Sequence, residues 1–214
     1  MKALVIGATG ATGKEVVRHL LENPDYAEIS VFVRRPSFAT HPTLKEVVVD
    51  FEKLESFATE MHGDVAFSCL GTTKKDAGSE EAQWRVDHDY QLLFAKLCKQ
   101  QGVSNFVLLS ALGADAKSLL FYNRMKGQLE EAVRALGFAK LTIVQPSLII
   151  RPDSNRTGEV IAGKVLQLLN KVGLFKKYAG TSTAKLGKVL VDASLIKHSG
   201  VSIITTQDYN RNGK

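Results

Sequence analysis

Two cysteines in 214 residues, Cys69 and Cys98, are too few and too far apart for a disulfide scaffold or a paired-thiol motif. Each sits in an apolar segment, so both are expected in the core of a chain kept in a reducing compartment, which reads as cytoplasmic. The five histidines are scattered with no two at metal-ligand spacing, so no metal site is expected. No apolar run reaches 18 residues, and the stretch after Lys2 breaks at Gly7. That argues against a membrane span and a signal peptide, and no membrane partner is expected. Internal repeats, low-complexity tracts and a convincing linker are also missing.

What is present is the composition of an ordinary globular domain, 44% hydrophobic and 23% charged. A chain of this length buries enough surface to need neither disulfide nor metal. The net charge of +6 is unevenly spread: residues 1–116 carry 12 basic and 16 acidic side chains, residues 117–214 carry 16 and 6. The positive second half suits an anionic small molecule or an acidic protein partner. Its cations stand singly with little aromatic interleaving, which argues against nucleic acid.

Short β-branched runs alternate with longer amphipathic stretches. Strands are expected at residues 3–6, 29–33, 46–49, 64–69, 105–110 and 141–145. Helices are expected from about Gly10 to before Pro24, over roughly 79–100, and over about 119–136. The β-α alternation and the right-handed crossover rule give an α/β fold, a doubly wound parallel sheet with helices on both faces. After Pro146 the pattern weakens. Residues 159–169 and 184–196 read as helices, 201–205 as a last strand, 151–158 and 171–183 as loops, and 208–214 as a frayed tail. The whole chain is expected to be one domain, with 147–214 as a small substrate cap.

Between the first strand and first helix stands Gly7-Ala8-Thr9-Gly10-Ala11-Thr12-Gly13. Glycines at such a turn let the backbone approach a pyrophosphate, whose charge meets the amides of the helix N-terminus. Gly7, Thr9, Gly10, Ala11, Thr12 and Gly13 are therefore expected to bind a dinucleotide. The second strand ends in Arg34 and Arg35, where an NAD site wants an acidic side chain. A pair of guanidiniums suits a 2′-phosphate, so NADP(H) is expected over NAD(H). Asp50 and Phe51 end the third strand, where an adenine edge and face are contacted. Leu70, Gly71 and Thr72 would pass under the cofactor's central part.

Ser110 ends the fifth strand, and Tyr122 and Lys126 follow one helical turn apart. Four-residue spacing puts them on one face, where the ammonium lowers the phenol's pKa toward working pH. Such a phenol gives a proton to a carbonyl oxygen or takes one from an alcohol, and the serine hydroxyl holds the same oxygen. Five tyrosines and 19 lysines produce roughly 0.4 such pairs by chance, so the argument leans on order and place. The set begins at a strand's carboxyl end, where open α/β sheets hold ligands.

These residues resemble the short-chain dehydrogenase/reductases, in the extended and atypical branch that opens G-x-x-G-x-x-G. The resemblance covers Met1 to about Pro146. The runs Val49-Asp50-Phe51-Glu52-Lys53-Leu54, Cys69-Leu70-Gly71-Thr72-Thr73, Val86-Asp87-His88-Asp89-Tyr90 and Leu108-Leu109-Ser110 with Gly113-Ala114-Asp115 are similar to the Tat-interacting-protein group. That group implies an NADPH-binding Rossmann domain with Ser110, Tyr122 and Lys126 as its catalytic set. It also implies cofactor contacts from Tyr122, Lys126, Pro146 and Ser147, the last two within the counterpart of the Arg-Pro-Gly turn, which here reads Gln145-Pro146-Ser147. Asp87 falls where the extended family carries asparagine, and that residue's role is not carried over. The expected activity is NADPH-dependent reduction of a small, possibly anionic carbonyl compound. The alternative is an NADPH-binding regulator with little or no catalysis. A third reading is a semialdehyde-dehydrogenase-type domain with Cys69 as nucleophile, against which stand the lack of a neighbouring histidine and of a large second domain.

Overall fold

A computed structural model describes residues 1–150 and 180–211. The expected helix at 159–169, the loop at 151–158 and most of the loop at 171–183 lie outside the described residues; the end of that last loop is a short strand, Thr181–Ser182, and the start of a helix at Thr183. Nearly half of the segment assigned to a cap therefore lies outside them too.

The strands β1 (Lys2–Ile6), β2 (Glu28–Val33), β3 (Leu44–Val48), β4 (Val65–Ser68), β5 (Asn105–Leu109) and β6 (Lys140–Gln145) appear where alternation placed them. Two-residue strands β7 (Ile149–Ile150) and β8 (Thr181–Ser182) pair with each other, and β9 (Gly200–Thr205) joins the main sheet. The main sheet is all parallel, ordered β3-β2-β1-β4-β5-β6-β9. Its winding reverses between β1 and β4, and that switch opens a crevice at their carboxyl ends.

Both faces of the sheet are buried in its middle, so the inner strands alternate between two cores, while the edge strands β3 and β9 are largely exposed. In β1, Leu4 and Ile6 face a core with Phe32, Phe94, Phe106, Leu129 and Ile143. Ala3 and Val5 face the other, with Val16, Leu20, Phe67, Leu186 and Leu190. The helices are α1 (Ala11–Glu22), α2 (Lys74–Ala77), α3 (Glu80–Trp84), α4 (Tyr90–Gln100), α5 (Phe121–Ala135), α6 (Thr183–Leu195) and α7 (Thr206–Arg211). Helix α1 packs against α6 so closely that a Cβ on Gly187 would lie 2.6 Å from the Glu15 Cβ.

Several expectations are corrected. The single helix over 79–100 is α3 and α4 joined by a π-helical turn, Arg85–Asp89. Its wider backbone brings Asp87 inward, where it is buried. A 3-10 segment, Phe51–Glu60, and the short α2 escaped notice, because neither presents a full amphipathic period. The tail is not frayed from 208: Tyr209 is buried and hydrogen-bonds Thr181 and Thr206, which holds α7 in place.

Gly187→Ala is expected to wedge α6 from α1 and destabilise the fold by about 1–3 kcal/mol, measured by urea denaturation, because backbone atoms of Glu15 and Val16 also lie in the way.

Candidate functional site

The β1-α1 turn is the tightest point of the crevice. Gly7 has φ +77°, and a Cβ there would lie 2.4 Å from the Leu70 nitrogen. A Cβ on Gly13 would lie 2.0 Å from the Gly7 carbonyl oxygen. The turn closes with the Gly10 amide donating to Gly7 O at 3.0 Å. Helix α1 then begins with no side-chain cap and no acidic residue in its first turn. Its leading amides and dipole are therefore open to an anion.

A cavity of about 560 Å³ opens above this turn. Gly7, Thr9 and Gly10 line it from one side; Leu70, Gly71 and Thr72 line it from the end of β4. At its outer end are Phe32, Val33, Arg34, Phe51, Val86 and Tyr90. Flat apolar walls there suit a purine. Phe51 and Tyr90 stand with ring centroids 5.4 Å apart. The Tyr90 hydroxyl donates to Glu52, which Arg85 pairs at 3.2 Å. Burial first, and then that carboxylate, push the Tyr90 phenol up to about 12, so it is a neutral wall.

Arg34 and Arg35 are exposed, and neither has an acidic partner among the described residues. Glu46 on β3 accepts the Ser37 and Phe38 amides at 2.8 and 3.2 Å and so fixes the loop after the two arginines. Asp50 does not line the cavity: its carboxylate accepts the Glu52 amide at 3.0 Å and caps the 3-10 segment. Ala11, Thr12, Gly13 and Arg35 flank the cavity's lining without belonging to it.

Ser110 follows β5, whereas Tyr122 and Lys126 lie on α5; none of the three, nor Pro146 or Ser147, is among the residues that line the cavity. Ser110 and Lys126 are buried, while Tyr122, one turn before Lys126, is 42% exposed. Glu130, one turn after Lys126 and only 4% exposed, joins the set. The Ser110 hydroxyl donates to it, Gln145 Nε2 donates at 2.8 Å and Arg134 pairs at 3.2 Å. The one proton of Ser110 is thus directed to Glu130, which differs from the expected donation to a substrate oxygen. Pro146 is buried and accepts the Leu112 amide at 2.8 Å; the Ser147 amide donates to Thr206 Oγ1 at 2.8 Å. The turn after β6 is thereby tied to the loop after β5 and to α7.

Lys126 is 3% exposed, and its ammonium has no hydrogen-bond partner among the described residues. Burial pulls it below the ordinary lysine range, against the opposing charges of Asp87, Glu130 and Cys69. Asp87 is 1% exposed and accepts the Thr72 amide at 2.6 Å. Burial raises its carboxyl, opposed by Lys126, that amide and Gln83. The Cys69 thiol is pushed up to about 12 by burial, which removes the nucleophile that the semialdehyde-dehydrogenase reading needs. Trp84 is a packing residue, its ring stacked on His88 at 4.7 Å with Nε1 donating to Asp89 at 3.1 Å.

Reasoning from the residues missed Glu130, Gln145 and Tyr90. The four-residue step from Lys126 to Glu130 was visible, but such spacing usually marks a solvated pair. Nothing in the pattern showed that the facing side of α5 is closed by β5 and β6.

The residues present fit a dinucleotide: uncapped amides on a glycine cradle, and a cavity with Phe51, Val86 and Tyr90 in its wall. The family described as NAD(P)H-binding matches residues 7–193. Protein fmp52, mitochondrial, of Emericella nidulans is 35% identical over 200 residues, 89% of this chain and 86% of that protein. Protein HTATIP2 of Rattus norvegicus is 37% identical over 166 residues, 75% of this chain and 68% of that protein. Among solved structures, MoeE5 in complex with UDP-glucuronic acid and NAD superposes with TM-score 0.72 at 17% identity, over 96% of this chain and 76% of that one. UDP-glucose 4-epimerase from Thermotoga maritima gives 0.70 at 16%. The expected cytoplasmic location is overturned, since the Fmp52 relatives are named mitochondrial. Buried thiols report a redox environment, whereas an organelle address is read by receptors and leaves no mark on the core. The chain belongs to the NAD(P)H-binding family, as an atypical short-chain dehydrogenase/reductase of the kind that includes the HTATIP2 and Fmp52 proteins.

Proposed function

We propose that the chain is an NADPH-dependent reductase of a small carbonyl compound, with Tyr122 as its proton donor. The observation that carries this reading is Lys126, only 3% exposed and one helical turn after Tyr122, with Glu130, the acceptor of the Ser110 hydroxyl, one turn further on.

The Gly7–Gly13 turn would hold the pyrophosphate, the slot between Phe51 and Val86 the adenine, and Lys126 the hydroxyls of the nicotinamide ribose. The nicotinamide, when bound, supplies the hydride. Tyr122 gives its hydroxyl proton to the carbonyl oxygen as the carbon is reduced, and solvent returns a proton to the phenolate. Lys126 stabilises that phenolate by its charge. Arg34 and Arg35, free of carboxylates among the described residues, would take the 2′-phosphate and favour NADPH over NADH. The positive second half of the chain favours an anionic substrate.

A second reading, a cofactor-binding regulator with little catalysis and an acidic protein partner, is favoured by one observation: the Ser110 proton is engaged by Glu130. A broad carbonyl panel separates the two, since a regulator binds NADPH without oxidising it.

Thermal-shift titration is expected to show tighter binding of NADPH than of NADH, and Arg34→Ala with Arg35→Ala to weaken NADPH about tenfold or more with little effect on NADH. Equal affinity for both nucleotides contradicts the 2′-phosphate assignment. On any carbonyl turned over, Tyr122→Phe is expected to lower kcat by about 100-fold or more while NADPH still binds; wild-type turnover in this variant removes tyrosine from the chemistry.

A further inference from the structure

Asp87, Lys126 and Glu130 are all buried, and they come from two elements. Lys126 and Glu130 lie one turn apart on the same side of α5. Asp87 comes from the π-helical turn that faces them, and its inward position is a product of that turn. The loop after β4 runs over it, with a Gly71 Cβ position only 3.9 Å from each carboxylate oxygen.

Both carboxylates are anchored independently of the lysine. The Thr72 amide fixes Asp87 at 2.6 Å. Ser110, Gln145 and Arg134 fix Glu130 from β5, β6 and α5. A buried ammonium with no hydrogen bond of its own loses its proton unless fixed charges hold it. Here the fixed charges are these two.

We propose that Asp87 and Glu130 are positioning residues for Lys126: two anchored carboxylates that keep its ammonium charged and leave its donors for the ribose hydroxyls of the bound dinucleotide. This inference rests on the dinucleotide-binding reading above. It accounts for Glu130 being inside, since an acid buried among one serine, one glutamine and one arginine contributes little to stability by itself.

The groups that act on Lys126 by charge are Asp87 from the π-helical turn packed against α5, Glu130 from its own helix and Cys69 from the end of β4. Burial keeps the Cys69 thiol neutral through the working range, so the carboxylates govern the lysine. Removing either one withdraws an influence that raises the lysine's pKa. The ammonium then gives up its proton at lower pH, and binding that depends on it fails sooner as pH rises.

The test is NADPH titration of the whole chain by nicotinamide fluorescence from about pH 6 to about pH 10. Glu130→Gln and Asp87→Asn are each expected to lose about tenfold more affinity than the wild type between about pH 7 and about pH 9. Glu130→Asp, which keeps the charge, is expected to follow the wild-type profile. Circular dichroism identifies any variant that does not fold, and either neutral variant suffices. A loss that is equal at every pH, with the alkaline limb unmoved, shows a packing role only and overturns the proposal. A wild type that binds no NADPH at any pH overturns the dinucleotide-binding reading, and the proposal with it.

Discussion

Everything in this molecule that concerns a ligand depends on one close approach of backbone to backbone. Where β1 turns into α1, the Gly7 carbonyl sits under Gly13, and Gly7 itself sits under the first residues after β4. Side chains at either glycine would push the helix off the sheet. With them absent, the uncapped end of α1 reaches the switch between β1 and β4, where the sheet's winding reverses and a crevice must open. The cavity, its purine slot and the arginines at the end of β2 are consequences of that placement.

The second half of the site is electrostatic. Helix α5 carries a lysine into a region from which water is excluded, and the surrounding elements each contribute to holding it. The end of β5 supplies Ser110 and the end of β6 supplies Gln145, both to Glu130, while the π-helical turn supplies Asp87. In a low dielectric such charges interact strongly, and the two carboxylates are each fixed by hydrogen bonds. The anchored carboxylates make the arrangement rigid as well as charged, a property that suits the ribose-holding role proposed for Lys126.

The sheet was legible because its inner strands are buried on both faces and read as unbroken β-branched runs between glycine and proline punctuation. The glycine turn was legible because its chemistry is local: three glycines between a strand and a helix have few other uses. Glu130 and the inward turn of Asp87 were not legible. Their role comes from what faces them across space, and a buried Glu130 has the same sequence spacing as an exposed one. Asp50 misled for the same reason: it stands at the right strand end, yet its carboxylate is taken by a local cap. Location in the cell lay beyond any such reading, since cysteines in a core respond to redox conditions alone.

The most direct measurement is a ¹⁵N amide spectrum of the protein recorded with and without NADPH. If the glycine turn receives the pyrophosphate, the amides of Gly10, Ala11, Thr12 and Gly13 shift together as the nucleotide saturates, because they point at its charge. If those four amides stay in place while nucleotide binds, the turn is only a packing device and the ligand sits elsewhere.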